Sequence, residues 1–256
     1  MLRSGDSGDW IGTFEGHNGA VWGADLNSPA LLAVTGSADF SAKIWDACSG
    51  DLMHSFEHKH IVRSVSFARE SHSRFATGCQ DKTIRIFDVN APDVDPMEIP
   101  GLPASVRCLR WIQEDNLLLA TCVDKNGIVG FDTRTGQAAV HYQTSDPCTS
   151  IDVAGDGSLV VAEASQVVVL DASRMHELKK FEPTDYKVES ASISVEKGLI
   201  AMGGSDMWVH VVDMTTREEV DVCKGHHGPV HAVRFRRGGE SFASGSEDGT
   251  IRLWSV

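Results

Sequence analysis

No apolar run in this chain approaches the roughly 18–20 residues that a membrane-spanning helix needs, so a helical span is excluded. The opening residues, MLRSGDSGDW, have neither the basic nor the apolar region of a secretion signal. Cysteine is sparse and scattered. Cys48, Cys79, Cys108, Cys122, Cys148 and Cys223 include no C-x-x-C pair, which argues against both a zinc site and a disulfide framework. Positive charge is also short: 23 Lys and Arg face 36 Asp and Glu, for a net −13. That balance opposes non-specific attraction to a nucleic-acid backbone, and the short basic stretch Arg234, Arg236 and Arg237 does not reverse it. Neither a G-x-x-x-x-G-K-[ST] loop nor a strand-linked G-x-G-x-x-G occurs, so no nucleotide signature is present. Finally, no segment sustains the 3.6-residue apolar period of a substantial helix. These absences point to a soluble protein of the cytoplasm, with the nucleus a second location.

What is present is a repeat. An apolar or aromatic residue followed by Asp, or its replacement, recurs at Trp45-Asp46, Phe87-Asp88, Phe131-Asp132, Leu170-Asp171, Val212-Asp213 and Trp254-Ser255. The second members are spaced by 42, 44, 39, 42 and 42 positions. The last unit contains four short runs, EVDVC, VHAVRF, SFASGS and TIRLWSV, rich in β-branched and aromatic residues and separated by turn residues. A lone four-stranded sheet would leave both faces wet, so such units must stack around a ring. The reading is all-β: one propeller over residues 1–256 with six four-stranded blades. Its repeats run over about 10–51, 52–93, 94–137, 138–176, 177–218 and 219–256.

These dipeptides and spacings resemble the WD-repeat family across nearly the whole chain. The match is strongest in the first unit, Gly16-His17 with Thr35, Asp39 and Trp45, and in the last, Gly225-His226 with Ser244, Asp248 and Trp254. The resemblance implies a buried network in each blade: the Asp caps a tight turn and holds the His, and the hydroxyl bridges to the Trp N–H. A buried indole N–H and imidazole need such partners. The second unit keeps His58, Thr77 and Asp81 but ends in Phe87, which has no N–H to offer. The third, fourth and fifth have Leu102, Thr144 and Thr184 where the His would sit, and are expected to rely on apolar packing.

A Ser, a His and an Asp in each good repeat imitate a hydrolase triad. A triad needs one exposed nucleophile and an oxyanion hole, whereas this set recurs at fixed spacing as structural wiring would. No catalytic residue is assigned. The cluster His226, His227 and His231 suggests a metal, but no carboxylate or Cys completes it at ligand spacing, and neither metal nor cofactor is expected.

In a propeller the start of each innermost strand lines the channel mouth. Counting one residue past the recurrent apolar position gives Trp22, Arg63, Arg107, Thr149, Glu189 and His231. Gln80 and Glu247, just before the turn Asp, are expected beside them. The family commonly binds partners there, and an aromatic with two arginines is good anchor material for an acidic or mixed peptide. The bland alternatives are that Trp22 packs between blades and that Arg63 and Arg107 are solvated or paired with nearby acids.

The stretches GDSGDWIGTFEGHNGAVWGADL, ADFSAKIWDACSGD and FEHKHIVRSVSF resemble one branch of the WD-repeat proteins, the kinase-receptor-associated adaptors. That resemblance implies a non-catalytic adaptor with protein partners, namely factors that assemble spliceosomal small ribonucleoproteins, or a role in kinase-receptor signalling. No membrane or small-molecule substrate is implied, and nucleic acid only indirectly. Two alternatives stay open: the propeller subunit of translation initiation factor 3, and an RNA-binding propeller whose arginines and aromatic stack on bases. Members of the branch begin with a further repeat and continue past the last blade. Met1-Leu2-Arg3 here aligns with the closing strand Lys43-Ile44-Trp45. The expectation is either a seven-bladed fold lacking one repeat or a closed ring of six, in which a strand at residues 9–14 completes the last blade.

Overall fold

The computed structural model describes residues 1–181 and 184–256. It is all-β: among the described residues there is no helix, and so none long and apolar enough to cross a membrane. The chain divides into two compact units, one of Met1–Arg3 with Trp10–Gln143, the other of Ser4–Asp9 with Thr144–Val256.

The first unit opens with a short antiparallel pair, β1 (Leu2–Arg3) and β2 (Trp10–Gly12). Next come two antiparallel sheets in sequence order. One holds β3 (Val21–Leu26), β4 (Leu32–Ser37), β5 (Ser41–Asp46) and β6 (Leu52–Glu57). The other holds β7 (Val62–Phe67), β8 (Arg74–Cys79), β9 (Ile84–Asp88) and β10 (Met97–Ile99). A third begins with β11 (Val106–Ile112), β12 (Leu117–Cys122) and β13 (Asn126–Asp132), and is closed by the first part of the long β14 (Ala138–Val153).

In the second unit the later part of β14 leads a sheet with β15 (Ser158–Glu163), β16 (Gln166–Asp171) and β17 (His176–Phe181). Four strands follow: β18 (Val188–Ser194), β19 (Leu199–Gly204), β20 (Trp208–Asp213) and β21 (Glu219–Lys224). The last sheet has three: β22 (Val230–Phe235), β23 (Ser241–Ser246) and β24 (Ile251–Ser255). This differs from the expected set of six four-stranded blades. The strand expected to complete the last one pairs instead with β1, Leu2 opposite Gly12 and Arg3 opposite Trp10. The physical reason is local. The Ser4 amide donates to the Asp9 carbonyl at 2.9 Å and the Gly8 amide to the Ser4 carbonyl at 2.9 Å, so a short loop closes the hairpin at small entropic cost.

Sheets pack face to face through the first strand of one and the second strand of the sheet before it. Val62, Val106, Val188 and Val230 open β7, β11, β18 and β22 and are fully buried, while Val21, which opens β3, is half exposed. The approach is close enough to demand glycine. A Cβ on Gly36 would stand 2.7 Å from Val62 Cγ1, and one on Gly203 would stand 2.5 Å from Val230 Cγ1. Gly36→Ala is therefore expected to destabilise the chain by about 1–3 kcal/mol through overpacking, read as a lower urea midpoint with an unchanged slope. A neutral effect would mean that the two sheets separate easily.

Candidate functional site

In five of the sheets the turn between second and third strands is tied by a backbone bond to the loop that enters the first. In the first unit the Ala38 amide donates to the Ala20 carbonyl (2.8 Å), Gln80 to Ile61 (2.9 Å) and Val123 to Ser105 (2.8 Å). In the second, Ser205 donates to Lys187 (2.9 Å) and Glu247 to Pro229 (3.0 Å). In the first, second and last sheets, which have both residues, these bonds bring the turn Asp and the loop His to one end.

The first sheet shows what that end holds. Trp45, fully buried, donates its indole N–H to Thr35 Oγ1 at 2.8 Å. His17 meets Thr35 Oγ1 through Nε2 at 2.7 Å and Asp39 through Nδ1 at 2.8 Å. A carboxylate only accepts, so Nδ1 carries the proton, Nε2 accepts, and the Thr35 hydroxyl donates to it. The chain of donation runs Trp45 to Thr35 to His17 to Asp39. Burial would raise the Asp39 carboxyl, but the Ser41 hydroxyl, the His17 ring and the Asn18 amide outweigh it and hold it well below the usual carboxylate range. The last sheet repeats the pattern: Trp254 to Ser244 at 2.8 Å, Ser244 to His226 at 2.7 Å, and His226 to Asp248 at 3.1 Å. Here the His227 amide and the Thr250 hydroxyl keep Asp248 ionised. Ser244 is 1 % exposed and both its hydrogen-bonding roles are taken, so this Ser-His-Asp set offers no accessible nucleophile.

The second sheet departs from the pattern. His58 Nε2 accepts from the Thr77 hydroxyl at 2.9 Å, but Nδ1 donates to the Phe56 carbonyl at 2.9 Å rather than to Asp81. Asp81 is taken by Arg85, 2.8 Å away, and Arg85 also meets Glu98 at 2.8 Å. The expected His58–Asp81 contact is thus replaced by an Arg85–Asp81 ion pair in the sheet where Phe87 leaves no indole N–H to organise the set. The fifth sheet does likewise: His210 lies between Asp206 (2.7 Å) and Glu219 (2.5 Å), and Tyr186 stacks on it at 4.7 Å. Each ring nitrogen of His210 thus faces a carboxylate oxygen. Burial, then the charges of Asp206 and Glu219, push the Tyr186 hydroxyl far up. Sequence reading missed Arg85 and His210. The signal was a cation at the fourth position after the turn Asp, shared with Lys43 and Arg252. Lys43 donates to Ser55 Oγ at 2.9 Å, while the buried Arg252 Nε has no hydrogen-bond partner among the described residues.

Of the residues expected at the mouth, the first unit brings Trp22 and Arg63 together. Trp22 is 53 % exposed, and the Arg63 guanidinium carbon lies 4.7 Å above its ring. Gln80 is exposed and bonded to Ile61, two residues before Arg63, and Arg107 is half-buried at the start of β11. In the second unit, exposed His231 stands 3.4 Å from exposed Glu247, and half-buried Glu189 pairs with Lys187 at 2.6 Å. Thr149 departs from the expectation. It is buried, and its hydroxyl donates to the Ala162 carbonyl at 3.0 Å, so its side chain bonds into its own sheet instead of facing outward.

The WD domain, G-beta repeat pattern matches residues 8–46, 50–88 and 217–255. The serine-threonine kinase receptor-associated protein of Bos taurus is 42% identical over 257 residues, covering 100% of this chain and 72% of the relative. Its counterpart in Dictyostelium discoideum is 41% identical over 255 residues, 99% of this chain and 86% of the relative. The chain belongs to the WD-repeat family of serine-threonine kinase receptor-associated proteins. Eukaryotic translation initiation factor 3 subunit I of Drosophila virilis is similar at a lower level, 28% over 277 residues, 97% of this chain and 85% of the relative. Repeats of this family on four-stranded antiparallel sheets make the fold class that of a WD40 β-propeller, and it is in the first two and last WD repeats that the pattern matches.

Proposed function

We propose that this WD-repeat chain is a non-catalytic adaptor that binds protein partners through the loop end of its sheets, with Trp22 and Arg63 at the centre of the contact. One observation carries the reading: an exposed Trp with an arginine stacked on it, on a scaffold whose Ser, His and Asp are occupied inside the sheets. Trp and Arg are the side chains that most often dominate interface energetics. Gln80 and Arg107 extend the contact in the first unit; Glu189, His231 and Glu247 offer a more acidic counterpart in the second. Factors that assemble spliceosomal small ribonucleoproteins are the partners this reading favours, in the cytoplasm and the nucleus. Association with a kinase receptor, as the relatives' name has it, is the second reading. The distance in identity to the initiation-factor subunit ranks that role lower.

Affinity purification from extract, read by mass spectrometry, tests this with the wild type beside a folded Trp22→Ala, Arg63→Glu variant. Small-ribonucleoprotein assembly factors should be recovered with the wild type and lost with the variant. Recovery of initiation-factor subunits instead would move the chain to the other role.

A further inference from the structure

Four turns between second and third strands share one geometry. An Asp carboxylate accepts the amide two residues on: Ser41 to Asp39 (3.1 Å), Thr83 to Asp81 (3.1 Å), Trp208 to Asp206 (3.4 Å) and Thr250 to Asp248 (2.8 Å). The residue between them is left-handed in each: Phe40 at φ 67°, Lys82 at 64°, Met207 at 73° and Gly249 at 78°. Glycine takes this conformation without strain, whereas a bulky side chain does not. Phe40 therefore occupies, against backbone preference, a position where the other turns carry Lys82, Met207 and Gly249, and it is the one aromatic among the four. Burial does not compensate it, for the side chain is 43 % exposed. Strain held at an exposed residue is the kind of outlier that marks a contact site.

The surroundings say what it would contact. The His58 amide donates to the Phe40 carbonyl at 2.8 Å, which brings Lys59 and His60, both exposed, beside it. The His60 ring lies 5.3 Å from the Phe40 ring, and three residues further on Arg63 covers Trp22. Lys82, at the matching turn of the next sheet, is exposed. The acids within these turns are engaged: Asp39 by His17, Ser41 and Asn18, and Asp81 by Arg85. In a chain of net charge −13, this is an aromatic surface ringed by Lys59, Arg63 and Lys82, with one exposed acid, Glu57, opposite Ser41.

We propose that Phe40 is a partner anchor, and that the partner segment is an acidic peptide with one large apolar side chain. The apolar group packs on Phe40, and flanking carboxylates meet Arg63, Lys59 and Lys82. The inference rests on the adaptor reading of Trp22 and Arg63 and adds the chemistry of what they bind.

The test is fluorescence anisotropy with a labelled ten-residue peptide of Glu and Asp around a central Phe. A second peptide has Ala at the centre, and a third probe is single-stranded oligouridylate. Wild type, Phe40→Gly, Phe40→Asn and Arg63→Glu are compared, each with its thermal midpoint. Phe40→Gly and Phe40→Asn should raise the midpoint, by roughly 2–4 °C, because strain is relieved. Both should weaken the Phe peptide about tenfold, the loss expected of an aromatic anchor. The Ala peptide should bind wild type as weakly as the Phe peptide binds Phe40→Gly. If both Phe40 variants melt lower, Phe40 serves folding and the inference fails. If Arg63→Glu abolishes binding while Phe40→Gly leaves it unchanged, the adaptor face stands and the Phe40 anchor falls. Binding unchanged in all variants removes both. No saturable binding of the acidic peptide to wild type, or oligouridylate bound through the same residues in its place, overturns the acidic-peptide chemistry.

Discussion

Arg85→Ala is expected to lower the unfolding free energy by about 3–5 kcal/mol, the range for breaking a buried ion pair by removing one partner. The guanidinium is 6% exposed and bridges Asp81 and Glu98. Removing it leaves Asp81, 14% exposed, without its counter-charge, while the Asp81 carboxylate must still accept the Thr83 amide that fixes the turn. Burial would raise the Asp81 carboxyl, but the Arg85 bond and charge, with the Cys79 thiol and the Thr83 amide, together outweigh it and keep it low. The double variant Arg85→Met, Asp81→Asn should recover most of the loss, since the buried charge at position 81 goes with its partner, half-exposed Glu98 is left to solvent, and the Asn oxygen can still accept from Thr83. Urea unfolding of the three proteins gives the numbers. A loss under about 1 kcal/mol for Arg85→Ala would place the pair with exposed, weak ones.

His58 should make stability depend on pH between about 6.5 and 4. Its Nδ1–H is committed to the Phe56 carbonyl and its Nε2 to the Thr77 hydroxyl, so the fold holds it neutral. Burial first, and the Arg85 charge after it, push its pKa from 6.5 down to about 4, against the opposing Phe56 bond. The sign follows from proton uptake. Between pH 6.5 and 4 the unfolded chain binds the proton and the folded one does not, so stability is full above pH 6.5 and falls as the pH drops through the window. At about 1.4 kcal/mol per pKa unit the loss is about 3 kcal/mol by pH 4. His58→Gln should remove that slope while other histidines contribute equally to both proteins. Equal slopes for the two between pH 7 and 4.5 would mean that His58 is not held neutral.

The repeat made much of the fold readable because β-strands and their turns have nearly fixed lengths. In the last unit the four apolar runs fall on β21 to β24, at Glu219–Lys224, Val230–Phe235, Ser241–Ser246 and Ile251–Ser255. A spacing of 22 from His17 to Asp39, and of 6 on to Trp45, places the three side chains at one end of one sheet. What spacing could not give is which of two competing donors an acid takes. Asp81 had both His58 and Arg85 in reach, and the charged partner took it. Likewise Thr149 shares its repeat position with Trp22 and Arg63 but turns its short side chain into its own sheet, where a carbonyl is available. The pairing of β2 with β1 was hidden for another reason: two nearby short segments closed on each other through a six-residue turn. The strain at Phe40 is a backbone angle, and no composition or period reports it.

The proposed adaptor function rests on Trp22 and Arg63 as a protein-binding contact. Its most direct test is calorimetric titration of the purified partner, once recovered, into wild type and into Trp22→Ala, Arg63→Glu of equal thermal midpoint. The variant should bind at least tenfold more weakly, about 1.4 kcal/mol or more. Equal affinity for the two proteins would contradict it.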